Sequence, residues 1–259
     1  MLLRVMTYNI LDGGSGREKF VLEVLEKIQP DIAILQEVFD PSSVREFAEV
    51  LNMEFFFAAG NSKRHLALLS RLPITKRNNH HPFPPIHTCL LEAKLEYAPK
   101  QYLDVFGVHL IAYPFVGFEL WREQEIKAIL QRVSSHRSDP CLIAGDFNAI
   151  APDDSVAITL FPRSLKMILT LQGGRFFRTA IRRVLSAGFM DCYRALHRGE
   201  DGFTLPTPKP NSRLDYIFAN NILKHNLQRC FVVHEPAEVH LASDHYPVVA
   251  EFDMNLSAV

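Results

Sequence analysis

Residues 141–149 read Cys-Leu-Ile-Ala-Gly-Asp-Phe-Asn-Ala, and this stretch constrains the fold more than any other. An apolar run that ends in glycine reads as a buried strand, which delivers Asp146 and Asn148 to the rim of a sheet. Alternate strand positions face opposite sides, so the two polar side chains point one way while Phe147 returns to the core. A carboxylate and a carboxamide held together at a strand end suit a water molecule or a metal-bound phosphate. The same Gly-Asp-x-Asn string is equally compatible with a plain Asx turn, so the rest of the chain has to decide.

Other runs share this form. Residues 2–10 read as a strand running into the turn Asp12-Gly13-Gly14, and residues 31–37 as a second buried strand with Glu37 at its polar end. Between them Phe20, Val21, Val24, Leu25 and Ile28 fall at helical spacing, and Pro30 closes that helix. Ser43 and Glu46 form a capping-box pattern opening a helix to about Leu51. Further strands are expected near 54–59, 66–70, 89–96, 102–110, 214–219, 226–233 and 247–252. A helix is expected over 119–133, a His- and Pro-rich loop over 78–86, and an irregular, partly helical region over 153–188. No internal repeat or linker interrupts the chain. The interleaving of strands and helices predicts one α/β domain over residues 1–259, with sheets covered by helices.

A chain of 259 residues, 47% hydrophobic and 22% charged, can bury the full core such a fold requires. Its formal net charge of -1 provides no global field to attract or repel nucleic acid. The N-terminus carries no long apolar segment, and Cys89, Cys141, Cys192 and Cys230 are too scattered for a zinc ribbon or a disulfide framework. A reducing, cytoplasmic location is expected.

Several predicted strands end in residues that a plain core would not carry: Asn9, Glu37, His109, Asp146 with Asn148, Asp215, and Asp244 with His245. Strand ends on one side of a sheet lie near one another, so these can converge. The oxygen-rich inventory fits Mg²⁺ or Mn²⁺, whereas a zinc site would favour His and Cys. Each member has a plain alternative: Glu37 as a solvated strand end, His109 as a hydrogen-bonded core histidine, Asp215 as half of a surface ion pair with Arg213. The ordered set is more specific. Thr7-Tyr8-Asn9-Ile10, Leu35-Gln36-Glu37, Ser70-Arg71-Leu72-Pro73-Ile74, Val108-His109-Leu110, Gly145-Asp146-Phe147-Asn148, Arg213-Leu214-Asp215-Tyr216 and Ser243-Asp244-His245-x-Pro247-Val248 follow in sequence. The series resembles the endonuclease/exonuclease/phosphatase superfamily of DNase I-like phosphoesterases, over nearly the whole chain. The resemblance implies a four-layer α/β sandwich in which two central mixed sheets are flanked by helices.

It also implies roles. Glu37, with Asn9 and Asp244, would hold Mg²⁺ (or Mn²⁺ in its place). Asp146 would orient and deprotonate the attacking water, and Asn148 would hold that water or a phosphoryl oxygen. His245, fixed by Asp215, and His109 would contact the phosphate. Three positions depart from the apurinic endonucleases of this superfamily: Leu11 replaces an acidic residue, Val108-His109-Leu110 replaces a Tyr-x-Pro-Asn setting, and Ser212 replaces an aromatic. The His-Leu form looks more like the DNase I, sphingomyelinase and deadenylase branches.

The substrate would be a phosphate ester, either nucleic acid or a small-molecule or lipid headgroup. From Arg163 to Arg198 there are eight Lys or Arg and one acid, Asp191. Arg178, Arg182 and Arg183 at helical spacing are candidates for a clamp on a phosphate backbone or an anionic membrane surface. A solvated helical face would look the same. His80, His81 and His87 could reach a headgroup or be incidental, and a non-catalytic phosphate-ligand binder is the remaining alternative class.

Overall fold

The computed structural model describes residues 1–81, 87–136 and 139–255. Pro82, Pro84 and Pro85 of the expected His- and Pro-rich loop lie outside them. The elements run β1 (Leu2–Asn9), α1 (Glu18–Ile28), β2 (Ile32–Val38), α2 (Pro41–Leu51), β3 (Glu54–Ala58), β4 (His65–Ser70), β5 (Ile74–His80), β6 (Leu90–Ala98) and β7 (Gln101–His109). They continue with α3 (Val116–Val133), β8 (Cys141–Asp146), α4 (Arg163–Leu171), α5 (Thr179–Ser186), β9 (Met190–Asp191), α6 (Cys192–Leu196), β10 (Asp215–Ala219), β11 (Leu227–Val232), α7 (Val239–Ala242) and β12 (Val248–Asp253).

Two six-stranded sheets result, ordered β11-β12-β1-β2-β4-β3 and β5-β6-β7-β8-β10-β9. Each holds one central parallel pair, β1 with β2 and β7 with β8, and is otherwise antiparallel. The segments joining the parallel partners contain α1 and α3, as a parallel crossover requires. The sequence showed no repeat, yet the two sheets share one pairing pattern.

Strand alternation builds the layers. Leu3, Val5, Ile32 and Ile34 turn inward onto Leu103, Val105, Leu142 and Ala144 of the other sheet. Met6, Tyr8, Ala33 and Leu35 turn outward under Val21, Leu25, Val44 and Phe47 of α1 and α2. Phe106, Ile143 and Phe218 lie under Ile126, Ile129, Ile181 and Val184 of α3 and α5. Helix, sheet, sheet, helix is the four-layer sandwich expected from the sequence. Strands buried on both faces are why β2 and β8 read as continuous apolar runs.

Three local expectations fail. The capping box at Ser43 is wrong: Asp40 is the N-cap, its carboxylate accepting from the Ser42 N–H, and Pro41 occupies the first turn. Residues 74–80 form an edge strand, unread because its exposed positions carry Lys76, Arg77 and Asn79 and hide the alternation. Helix α3 starts at Val116, earlier than its apolar stripe suggests.

Candidate active site

The C-terminal edge of each parallel pair carries the polar residues. Asn9 ends β1, His109 ends β7, Asp146 ends β8, and Glu37 is next to last in β2. β10 runs antiparallel to β8, so its first residue, Asp215, pairs in register with Asp146. Asp244 and His245 precede β12, whose Val248 pairs with Thr7 near the same end of β1. Residues remote in sequence therefore meet at one edge.

Local devices aim them. The β2–β4 register shifts between Gln36 and Val38, leaving Glu37 in a bulge with φ 62°. A bulge residue re-aims its side chain away from the strict alternation, here into the site. Gly145 lets β7 and β8 approach: a Cβ there would lie 1.9 Å from the Val108 carbonyl oxygen. Asp146 and Asn148 are not arranged by pleat alternation, because the strand stops at Asp146 and Asn148 has φ 48°. Instead the Asn148 N–H donates to Asp146 Oδ1 at 2.9 Å, and Asn148 Nδ2 to Oδ2 at 3.2 Å. The Asx turn and the functional arrangement are one structure.

Asp146 is the centre. Its Oδ2 also accepts from Asn9 Nδ2 at 3.0 Å, and Asn9 Nδ2 reaches Glu37 Oε1 at 3.3 Å. His109 Nε2 lies 3.6 Å and His245 Nε2 3.8 Å from Asp146 Oδ2. His245 Nδ1 hydrogen-bonds Asp215 Oδ2 at 2.9 Å. Ser243 Oγ donates to the Asn9 carbonyl at 2.6 Å and so ties the segment before Asp244 to β1. Asp215 is thus no surface residue, and neither is Arg213.

The electrostatics separate the two imidazoles. Burial alone would lower His245, but the Asp215 carboxylate, with Asp146 and Asp244, outweighs it and raises His245 to about 10. Burial dominates at His109 and lowers it to about 4. The site therefore presents one imidazolium and one neutral imidazole at neutral pH. Burial and then the Asp215 charge push the Asp146 carboxyl up.

The donor chemistry fits a hard divalent cation. Among the described residues, the buried Oδ1 atoms of Asp244 and Asp215 have no hydrogen-bond partner, and neither does His109 Nδ1, so the site holds two carboxylate oxygens free to take a cation. Ligand atoms of Asp146, Asp215 and His245 also lie within 4.8 Å of one another. His245 is a poor ligand, because its Nδ1 is committed to Asp215 and its ring is held protonated. The carboxylate and carboxamide oxygens of Glu37, Asn9 and Asp244 are the better hard-cation donors.

Other expectations dissolve. Arg178 donates to the carbonyls of Ala151, Pro152 and Asp154 at 2.6, 2.7 and 2.7 Å, and Arg183 pairs with Glu123. Only Arg182 of that trio is exposed, so they present no shared cationic face. His80 pairs with the buried Glu92 at 2.6 Å. In contrast, Arg64 had no distinguishing sequence signal, yet it reaches Asp12 Oδ1 at 2.8 Å and Glu37 Oε2 at 3.1 Å. Behind the site, Arg213 is 1% exposed and forks onto both Asp154 and Asp191.

The sequence profile of the Endonuclease/Exonuclease/phosphatase family matches residues 6–245. No curated protein sequence matches the chain. An AP endonuclease from Archaeoglobus fulgidus superposes with a TM-score of 0.77 at 19% identity, covering 97% of this chain and 100% of its own. A 3′ phosphatase, NExo, from Neisseria bound to a product DNA hairpin gives 0.76 at 19% identity over 97% and 99%. The human Nocturnin catalytic domain with bound sulfate gives 0.73 at 21% identity over 97% and 93%. At these identities the structural likeness speaks for the DNase I-like fold. The profile match spans both sheets and the edge where Asn9, Glu37, Asp146 and His245 meet, and the chain belongs to the endonuclease/exonuclease/phosphatase family.

Proposed function

We propose that the chain is a divalent-metal-dependent phosphodiester hydrolase. One observation carries this reading: the buried Asp146 carboxylate is surrounded by Asn9, Asn148, His109 and His245, with the last held charged by Asp215. Such a group serves proton transfer from water better than structural pairing. Asn9, Glu37 and Asp244 would hold Mg²⁺ or Mn²⁺. When bound, the cation supplies positive charge against the phosphoryl oxygens.

Asp146 would take one proton from the attacking water as it adds to phosphorus. The opposite P–O ester bond breaks in line, and solvent protonates the departing alkoxide. Asn148 would orient the water or a phosphoryl oxygen. His245 would give the phosphoryl group a charged donor, and neutral His109 a second contact. Arg64 adds a guanidinium at the Glu37 side.

Bis-(4-nitrophenyl) phosphate with Mg²⁺ or Mn²⁺ tests the reading. Asp146→Asn, Glu37→Ala and His245→Ala should each lower kcat by at least about a hundredfold, the usual loss for one preorganised electrostatic contact. Near-wild-type hydrolysis by His245→Ala would remove that residue's assignment, and no hydrolysis by the wild type with either metal would favour a phosphate-ligand binder.

A further inference from the structure

Among the described residues, ten of the sixteen exposed large hydrophobic side chains fall in two short stretches, 113–121 and 158–177. Tyr113 is 64% exposed, Trp121 46%, Met167 61% and Leu171 78%. The stretches are joined in space: the Val116 N–H donates to Gln172 Oε1 at 2.7 Å, and Gln172 Nε2 to the Pro114 carbonyl at 3.0 Å. Arg122 anchors the first from below, donating to the Ile111 and Tyr113 carbonyls at 2.9 Å each. Tyr113 is held at φ 85°, a left-handed conformation that a bulky side chain adopts only when its surroundings impose it.

The face continues into the active site. A cavity of about 320 Å³ runs from Phe115 and Phe177 past Phe161 and Leu205 to Asn148. Ser212 stands on its wall, so the small residue noted in the sequence leaves this space open. An exposed apolar patch beside a polar reaction site marks an interaction surface, because solvent-facing apolar groups of this number are otherwise disfavoured.

The chemistry of the patch selects the occupant. Leu120, Leu160, Met167 and Leu171, the aliphatic and thioether members, stand exposed among the aromatic Tyr113, Phe115, Trp121 and Phe177, a mixture suited to insertion at a lipid interface rather than to base stacking alone. Met167 and Leu171 lie one turn apart on α4 and project together. No Asp or Glu occurs between Ser155 and Met190, while Arg163, Arg175 and Arg182 in that interval are exposed. Apolar side chains, a half-exposed tryptophan and the exposed Arg163 and Arg175 within the second stretch are what an anionic lipid surface binds. We propose that this face seats the protein on a lipid–water interface, where the diester of a membrane phospholipid enters the site at Asn148 with its hydrocarbon end in the cavity. The docking face stands on its own; the substrate rests on the phosphodiesterase reading above.

Trp121 is the only tryptophan in the chain, so its emission reports on the face directly. With the purified full chain, phosphatidylcholine–phosphatidylserine vesicles should shift that emission to the blue and carry the protein into the pellet. The double variant Met167→Glu, Leu171→Glu should lose both responses, with partitioning down at least about tenfold. It should hydrolyse vesicular sphingomyelin or phosphatidylcholine more slowly by a similar factor and bis-(4-nitrophenyl) phosphate at the wild-type rate. Absence of vesicle binding by a wild type that cleaves the soluble diester would overturn the docking face alone. Vesicle binding without cleavage of the soluble diester would overturn the phosphodiesterase reading, and the proposed substrate with it. A stable dimer dissociated by the same two substitutions, or single-stranded DNA binding lost with them, would replace the lipid surface with that partner and overturn the proposal.

Discussion

His245 and Asp215 show how little sequence distance matters to chemistry. The carboxylate costs free energy to bury and is retained where it keeps an imidazole charged. In Asp215→Asn burial would be opposed only by the Asp146 and Asp244 charges, so His245 would lose its proton at a lower pH than the wild type's value of about 10. Turnover of bis-(4-nitrophenyl) phosphate should then fall about a hundredfold at pH 8 and visibly less at pH 6, where the ring recovers part of its charge. Equal losses at both pH values would count against charge as the reason for the pair. The pairing was legible from Leu214-Asp215 and Asp244-His245 in a family order. Arg64 was not, because an arginine in the polar run Ser62-Lys63-Arg64-His65 looks like any solvated turn until β2 and β4 bring it over Glu37.

Elements reach the edge with their side chains correctly aimed only through local departures from regularity. The bulge at Glu37 and the Asx turn at Asp146 are two; the buried Arg213 fork is a third. Arg213 connects the start of β10 to Asp154, which follows β8, and to Asp191 at the end of β9, and it stacks 4.4 Å from the Tyr216 ring centroid. Replacing it with Ala leaves two buried carboxylates without their shared cation, so unfolding in urea should show a loss of about 3–5 kcal/mol. Arg213→Lys should recover only part of this, since one ammonium cannot make both bidentate contacts. Helix boundaries were less legible: Asp40, not Ser43, caps α2, because two nearby residues offered the same capping chemistry and only the chain path chose between them.

The two sheets and their helices also place charge where no single element would hold it. Glu125 of α3 is buried and accepts the His87 N–H at 2.7 Å and the Ile111 N–H at 3.2 Å, tying the segment before β6 to the one after β7. Burial pushes its carboxyl from 4.5 up to about 7. A folded value above the unfolded one means stability fully present below about pH 4.5 and lost as pH rises through 7. Compared with the non-titrating Glu125→Gln, the wild type should lose about 2–3 kcal/mol of relative stability between pH 5 and pH 8 in urea titrations. A pH-independent difference would show that Glu125 titrates normally.

Apolar runs and alternation are local properties of the chain and sufficed for the α/β class, while the ordered motifs, by their resemblance to a known family, pointed to that family and to Asn9, Glu37, Asp146, Asp215 and His245, which the fold brings to one edge. The matching of the two sheets, the internal commitment of Arg178 and Arg183, the recruitment of Arg64 and the apolar face beside Asn148 depend on which segments pack together. Hydrogen bonds, ion pairs and exposed patches are made between residues far apart in sequence, and a linear pattern carries no record of those distances.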